Sequence, residues 1–196
     1  KYYNNSKIHF LNLEVLLEAL AKRKGVILIG SHFGSFDKLF YAMSKKNIDL
    51  AGVAYKQNNS GSDIFFKKIR EQFMTNQLYK GGDIHLLNEA LSQNNVLILL
   101  SDQDAKNKGA MVKFFNIDSS THSGAAILSK RKQCPLIYSS ITKINDSYEV
   151  EFDEINTNNS VADIVQAYTS KIEKTIVKAP EQYFWFHKRW KSVREY

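Results

Sequence analysis

The sequence holds one cysteine, Cys134, and two prolines in 196 residues. A single thiol cannot close an internal disulfide, so a reducing compartment is expected. No base lies near Cys134 in sequence, which makes it a buried structural thiol rather than a nucleophile. Long apolar runs are missing as well. The longest, Val96–Leu100 among them, have five residues, against the ~20 needed for a bilayer-spanning helix. No signal-peptide pattern is visible. No glycine-rich nucleotide loop and no paired cysteine or histidine spacing occurs, so a cofactor is not indicated. Internal repeats and domain-separating linkers are also lacking, and we expect one domain over residues 1–196. The chain starts at Lys1 in a polar KYYNNS stretch, and we expect it to be a piece of a longer protein.

What is present is a globular composition: 43% hydrophobic, 24% charged, with a net charge of +7. Such a chain can bury a sizeable core. The positive balance favours an anionic partner: nucleic acid, a phospholipid surface or an acidic protein.

The stretch Gly25–Asp37, GVILIGSHFGSFD, organises the chain. Val26–Ile29 is apolar and mostly β-branched, as in a strand buried on both faces of a parallel sheet. His32 follows at the strand's carboxyl end, where open α/β sheets place their ligands. Asp37 lies five residues on, in the first turn of a helix running to about Lys46. If His32 is in the turn, Asp37 can point back to one imidazole nitrogen and leave the other to take a proton. The same spacing equally describes a turn histidine beside an aspartate that only complements the helix dipole.

Around it, strand and helix patterns alternate. Leu13, Leu16, Leu17 and Leu20 mark a helix that Gly25 closes. Ile48–Tyr55 reads as a strand, Lys56–Asp63 as a polar loop bordering the site, and Ile64–Met74 as a helix. A short strand at Gln77–Tyr79 and a helix over Asp83–Gln93 precede the buried strand Val96–Leu100. Lys106–Gly109 is a basic turn and Ala110–Phe115 a strand. A helix is expected over Thr121–Lys132. Leu136–Ile141 and Ser147–Phe152 pair around Asn145–Asp146 as an antiparallel edge, and Ser160 caps a long helix that Pro180 stops. This order predicts one layered α/β domain.

Further residues carry chemistry. Asp102 and Asp104 follow a buried strand; D-x-D there can hold a divalent metal, orient a basic side chain, or sit solvated. Lys56 and Arg70 can neutralise a phosphate or pair with Asp102. Phe184, Trp185, Phe186 and Trp190 interleave with His187, Lys188 and Arg189, which suits a lipid interface, stacking on bases, or a core closed under a basic skin.

Taken together, these stretches resemble the bacterial late acyltransferases of lipid A biosynthesis, in the lysophospholipid acyltransferase-like superfamily. The resemblance runs collinearly from about Gly25 to Trp190. SHFGSFD resembles the family's H-x4-D/E motif. AYK before KQNN, and Arg70 in the next helix, resemble its Tyr-Arg stretch and following arginine. LLSDQDAKNKG resembles its Asp-Gln-Asp turn, VKFFNIDSSTHSGAAIL its Phe-Phe, Thr and Gly pattern, and KAPEQYFWFHKRWK its C-terminal signature. Asp37 stands where most members have glutamate, Lys56 where they have arginine, and Asn116 where glycine is common.

The resemblance implies a three-layer α/β/α domain with a mixed, mostly parallel central sheet, like that of glycerol-3-phosphate acyltransferases, lacking the family's hydrophobic N-terminal segment. It implies transfer of a fatty acyl group from acyl carrier protein or acyl-coenzyme A to a hydroxyl of a lipid A precursor or related envelope lipid. His32 would be the general base, oriented by Asp37. Backbone N–H groups around Gly34 would stabilise the oxyanion. Lys56, Arg70, Asp102, Asp104 and Thr121 would order the site or bind substrate. No metal or cofactor is needed, and the partners would be the donor, the lipid acceptor and an anionic membrane surface, not nucleic acid. The place would be the cytoplasmic face of the inner membrane. Two other readings of the residues stand beside it: a metal-dependent glycosyl or phosphoryl transferase using Asp102 and Asp104, and a basic, non-enzymatic nucleic-acid-binding domain.

Overall fold

Strand β2 (Val26–Gly30) has all five residues buried, and its alternation explains the layering. In a strand, successive side chains point to opposite faces. Ile27 and Ile29 join one core cluster; Val26 and Leu28 join another. Strands β5 (Val96–Leu100) and β8 (Leu136–Ile144) divide the same way: Leu97, Leu136 and Tyr138 on one side, Val96, Ile98 and Ile137 on the other. Full burial of one such side chain stabilises the fold by about 1.5–3 kcal/mol, so both faces must be covered.

The computed structural model describes residues 7–79, 81–82 and 84–195. The remaining elements are β1 (Lys7–Phe10), α1 (Leu13–Ala21), α2 (Phe36–Ser44), β3 (Leu50–Ala54), α3 (Ser60–Arg70), β4 (Asn76–Tyr79), α4 (Ile84–Ser92), β6 (Ala110–Phe114), β7 (Ile117–Thr121), α5 (Gly124–Lys132), β9 (Ser147–Glu154) and α6 (Val161–Lys178). The main sheet has seven strands in the order β1-β9-β8-β2-β5-β3-β4. Every pairing in it is parallel except β8 with β9. Helices α1 and α2 cover one face; α4, α5, α6 and the β6–β7 hairpin cover the other. The fold is therefore α/β with a mixed, mostly parallel sheet between two helical layers.

Three local expectations are revised. The β8–β9 hairpin is antiparallel but not the edge, because β1 adds outside it, parallel to β9. Helix α3 starts at Ser60, inside the stretch expected to be loop. Asn59 caps it by accepting the Ser62 N–H at 2.9 Å, so a polar run that reads as loop is a helix start. Thr121 does not open a helix. It ends β7, which pairs antiparallel with β6, the turn residues Phe115 and Asn116 both lying at positive φ. That is the two-residue hairpin conformation whose twist matches the strands. Ser160 caps α6 through the Asp163 N–H, as expected. The KYYNNS stretch and Asp83 lie outside the described residues.

Candidate active site

The register of the two central strands builds the site. Val26 faces Val96, and the pairing runs in step to Gly30 and Leu100. The Ser101 N–H then donates to the Gly30 carbonyl at 3.1 Å, extending the ladder by one bond. Two residues beyond Gly30 is His32; two beyond Leu100 is Asp102. The same offset that pairs the strands thus brings these side chains together. His32 Nδ1 lies 2.8 Å from Asp102 Oδ1. The Asp102 side chain is 2% exposed and that of His32 28%. A carboxylate only accepts, so Nδ1 carries the proton, and in the neutral imidazole Nε2 keeps its lone pair. Phe36 meets the imidazole edge-on at 5.6 Å and Phe184 lies 6.3 Å away.

His32 lies on the wall of a cavity of about 650 Å³, within the range of small-molecule sites. Most of the lining is apolar. Phe40, Val53, Leu78, Leu87, Ile98 and Leu128 are among its walls, and Arg70 and Arg131 are its charged groups among the described residues. A hydrocarbon chain fits such a space, because water there makes few hydrogen bonds.

The expected partner of His32 is corrected. Asp102, not Asp37, holds Nδ1. Asp37 does lie in the first turn of α2, but sequence proximity loses here to strand register. Gly34 has a different role from the one expected. Its N–H already donates to the Gln182 carbonyl at 2.8 Å, so it is not an oxyanion donor. Its φ is +56°, and a Cβ there would sit 2.4 Å from the Ile141 carbonyl oxygen, so only glycine fits. Arg70 reaches the cavity. Its Nε donates to Gln77 Oε1 at 2.9 Å, while Nη2 is buried with no partner among the described residues. Lys56 is exposed and absent from the cavity wall, where its neighbour Tyr55 stands.

Asp104 makes hydrogen bonds of its own. Its backbone N–H donates to His187 Nε2 at 3.0 Å, and its Oδ2 accepts from Ser192 at 2.7 Å. Of the two carboxylates of D-x-D, Asp102 thus meets His32 and Asp104 meets Ser192. Among the described residues no three His, Cys, Asp or Glu side chains converge in a metal-ligand group. Thr121 is fully buried behind the site, where its hydroxyl accepts from Arg189 Nη2.

The C-terminal aromatic and basic run closes the site from behind, a role that sequence reading left undecided. Phe33 bridges to Tyr183, and the Phe184 N–H donates to the His32 carbonyl at 3.0 Å, pinning the histidine turn. The Tyr183 hydroxyl sits by the Asp102 carboxylate. Burial, and then that negative charge, push its pKa up, so it stays a donor. Arg189 is 3% exposed and donates through Nη1 to the Ser120 carbonyl at 2.7 Å, with its guanidinium over the Phe114 ring. Burial lowers its pKa, which Tyr183, Asp102 and Asp104 oppose. His187 is held below its usual pKa, by burial first and Lys191 second, and accepts the Asp104 N–H in its neutral form. Cys134 lies at the opposite end of the sheet from His32, next to Pro135 and β8; burial pushes its thiol up to about 11, which makes it inert.

The match to known proteins covers these same segments. The family model described as bacterial lipid A biosynthesis acyltransferase matches residues 3–192. Among curated proteins the chain is 26% identical over 190 residues to the lipid A biosynthesis palmitoleoyltransferase of Escherichia coli (strain K12). It is equally similar to the lipid A biosynthesis acyltransferase of Shigella flexneri. Each alignment covers 92% of this chain and 60% of the relative, so the chain spans about three fifths of their length. With the histidine turn, the Asp-Gln-Asp turn and the C-terminal run all inside the match, the chain belongs to the bacterial lipid A biosynthesis acyltransferase family.

Proposed function

We propose that this chain carries the catalytic centre of an acyltransferase. It would move a fatty acyl group from an acyl thioester onto a hydroxyl of a lipid A precursor or related envelope lipid. One observation carries the proposal: a carboxylate-bound imidazole stands in the wall of an apolar cavity of about 650 Å³.

A hydroxyl is a weak nucleophile until a base takes its proton during attack. Nε2 of His32 takes that proton as the oxygen bonds to the thioester carbonyl carbon. Asp102 keeps Nδ1 protonated and stabilises the imidazolium that forms. The tetrahedral intermediate collapses, the C–S bond breaks, and the imidazolium returns its proton to the leaving thiolate. The new ester and a free thiol are the products, and no group on the protein is acylated. The oxyanion needs fixed donors. Helix α2 starts four residues after His32 without a side-chain cap at Ser35, so its first-turn N–H groups are our candidates. Arg70, with Nη2 unpaired among the described residues on the cavity wall, would hold an anionic group of the acceptor, such as a phosphate. The donor would be acyl carrier protein or acyl-coenzyme A, and the reaction would run at an anionic membrane surface on the cytoplasmic side of the inner membrane.

The test is a transfer assay with an acyl thioester and a hydroxylated lipid acceptor, comparing the parent with His32→Ala. A folded His32→Ala variant turning over at the parent's rate would refute the mechanism.

A further inference from the structure

Helix α3 (Ser60–Arg70) spans 11 residues, and none is buried. Its middle is nonetheless apolar: Ile64, Phe65 and Phe66 are 56%, 60% and 44% exposed. A helix in a folded domain normally turns such residues inward. The patch does not stop at the helix. Tyr55, Ile84, Leu86 and Ile127 are also exposed, and each belongs to the wall of the acyl-sized cavity. The start of α3 is tied to this rim. Asp63 accepts from the Gln57 N–H at 2.9 Å and from the Tyr79 hydroxyl at 3.4 Å. The exposed apolar helix is thus anchored at its start to the rim of an apolar cavity.

The charges beside the patch narrow what covers it. Lys67 and Lys68 are exposed, and three- and four-residue spacing puts them on the side of Ile64 and Phe65. Lys67 has a loose ion pair to exposed Glu71, at 3.9 Å. Lys56 is exposed on the loop before the helix. Aromatic and aliphatic side chains at the level of lysine ammonium groups are what an interfacial helix needs: rings among the acyl chains, ammonium groups at the phosphates. A protein partner would need a surface shaped to this rim. An anionic bilayer needs only the chemistry present.

We propose that α3 and the cavity rim form a membrane-docking face. Ile64, Phe65 and Phe66 insert at the level of the lipid headgroups, and Lys56, Lys67 and Lys68 engage lipid phosphates. Docking places the cavity mouth against the bilayer, so that the hydroxyl of a lipid acceptor reaches His32 without leaving the membrane surface. The proposal rests on the acyltransferase reading only for what the cavity holds; the docking itself does not need it.

The test is co-sedimentation of the chain with vesicles of phosphatidylcholine and phosphatidylglycerol. Substituting Phe65→Ser and Phe66→Ser together lowers vesicle partitioning about tenfold or more. Ile64→Ser alone shifts it the same way. Lys67→Glu with Lys68→Glu abolishes the preference for phosphatidylglycerol over pure phosphatidylcholine. These positions are exposed, so far-UV circular dichroism and the thermal midpoint stay at parent values. Turnover on a detergent-dispersed acceptor stays at the parent rate, while turnover on a vesicle-embedded acceptor falls with the partitioning. Parent protein that ignores the vesicles overturns the proposal. So does equal partitioning of the double serine variant, or self-association through Phe65 and Phe66 in sedimentation velocity. His32→Ala should sediment with vesicles like the parent. If it does and yet retains turnover, the catalytic reading fails and the docking face stands.

Discussion

Replacing Asp102 with asparagine removes one charge and almost no volume, at the contact on which the chemistry depends. In the parent, Nδ1–H points at a carboxylate 2.8 Å away whose side chain is 2% exposed. Asparagine offers one of two faces to that nitrogen. The amide NH2 would force Nδ1 to accept, moving the ring proton to Nε2 and leaving no base for the acceptor hydroxyl. The amide oxygen would keep the tautomer but not stabilise the imidazolium. That charge pair is worth about 4 kcal/mol at ~4 Å with an effective dielectric of ~20. A loss of that order lowers turnover by roughly a thousandfold, inside the ~10²–10⁴ expected of general-base help. A radiolabelled acyl thioester and a lipid acceptor under single-turnover conditions read the rate. The thermal midpoint checks the fold, which an isosteric neutral side chain should preserve. A folded Asp102→Asn variant keeping more than about a tenth of the parent rate would refute the reasoning. Asp37→Asn supplies the comparison and should cost less. The reverse ranking would return the orienting role to Asp37.

Gly34→Ala should destabilise the chain by at least about 2 kcal/mol, since φ is +56° and the new Cβ meets a backbone oxygen; a urea midpoint within experimental error of the parent would argue against a forced glycine. Arg70→Met should raise KM for a phosphorylated acceptor about tenfold to a hundredfold, and leave KM for an uncharged long-chain alcohol near the parent value; equal losses on both would mean that Arg70 only shapes the cavity. His187 has a depressed pKa in the fold, so the unfolded chain takes up the proton first as pH falls. Its contact with Asp104 therefore contributes fully above the usual histidine pKa of about 6.5 and weakens below it. The thermal midpoint should drop between about pH 7 and pH 5, and less so in His187→Asn; parallel curves for the two proteins would contradict this.

Much of the fold was legible because hydrophobic periodicity is a local property. Val26–Ile29, Val96–Leu100 and the stripe of Ile164, Val165, Tyr168, Ile172 and Ile176 read as buried strands and an amphipathic helix, and fold as such. Strand β7 was missed because its sequence, IDSST, has no apolar alternation; its strand state comes from pairing with β6 and from the left-handed turn at Phe115 and Asn116. The start of α3 was missed for a related reason. Its capping signal is a polar Asn-Ser-Gly-Ser run that turns and helix starts share.

The sequence by itself determined which short runs are buried, that His32 ends one of them and Asp102 another, and which family the motifs resemble, because burial patterns and motif spacings are written along the chain. Only the tertiary structure decided who meets whom. A parallel register with an offset of 70 residues gave His32 to Asp102 in place of its neighbour Asp37. It tied Gly34 to Gln182, and it left α3's phenylalanines facing outward. Pairings between distant strands and the exposure of a helix face depend on where other segments pack, and no local pattern encodes that.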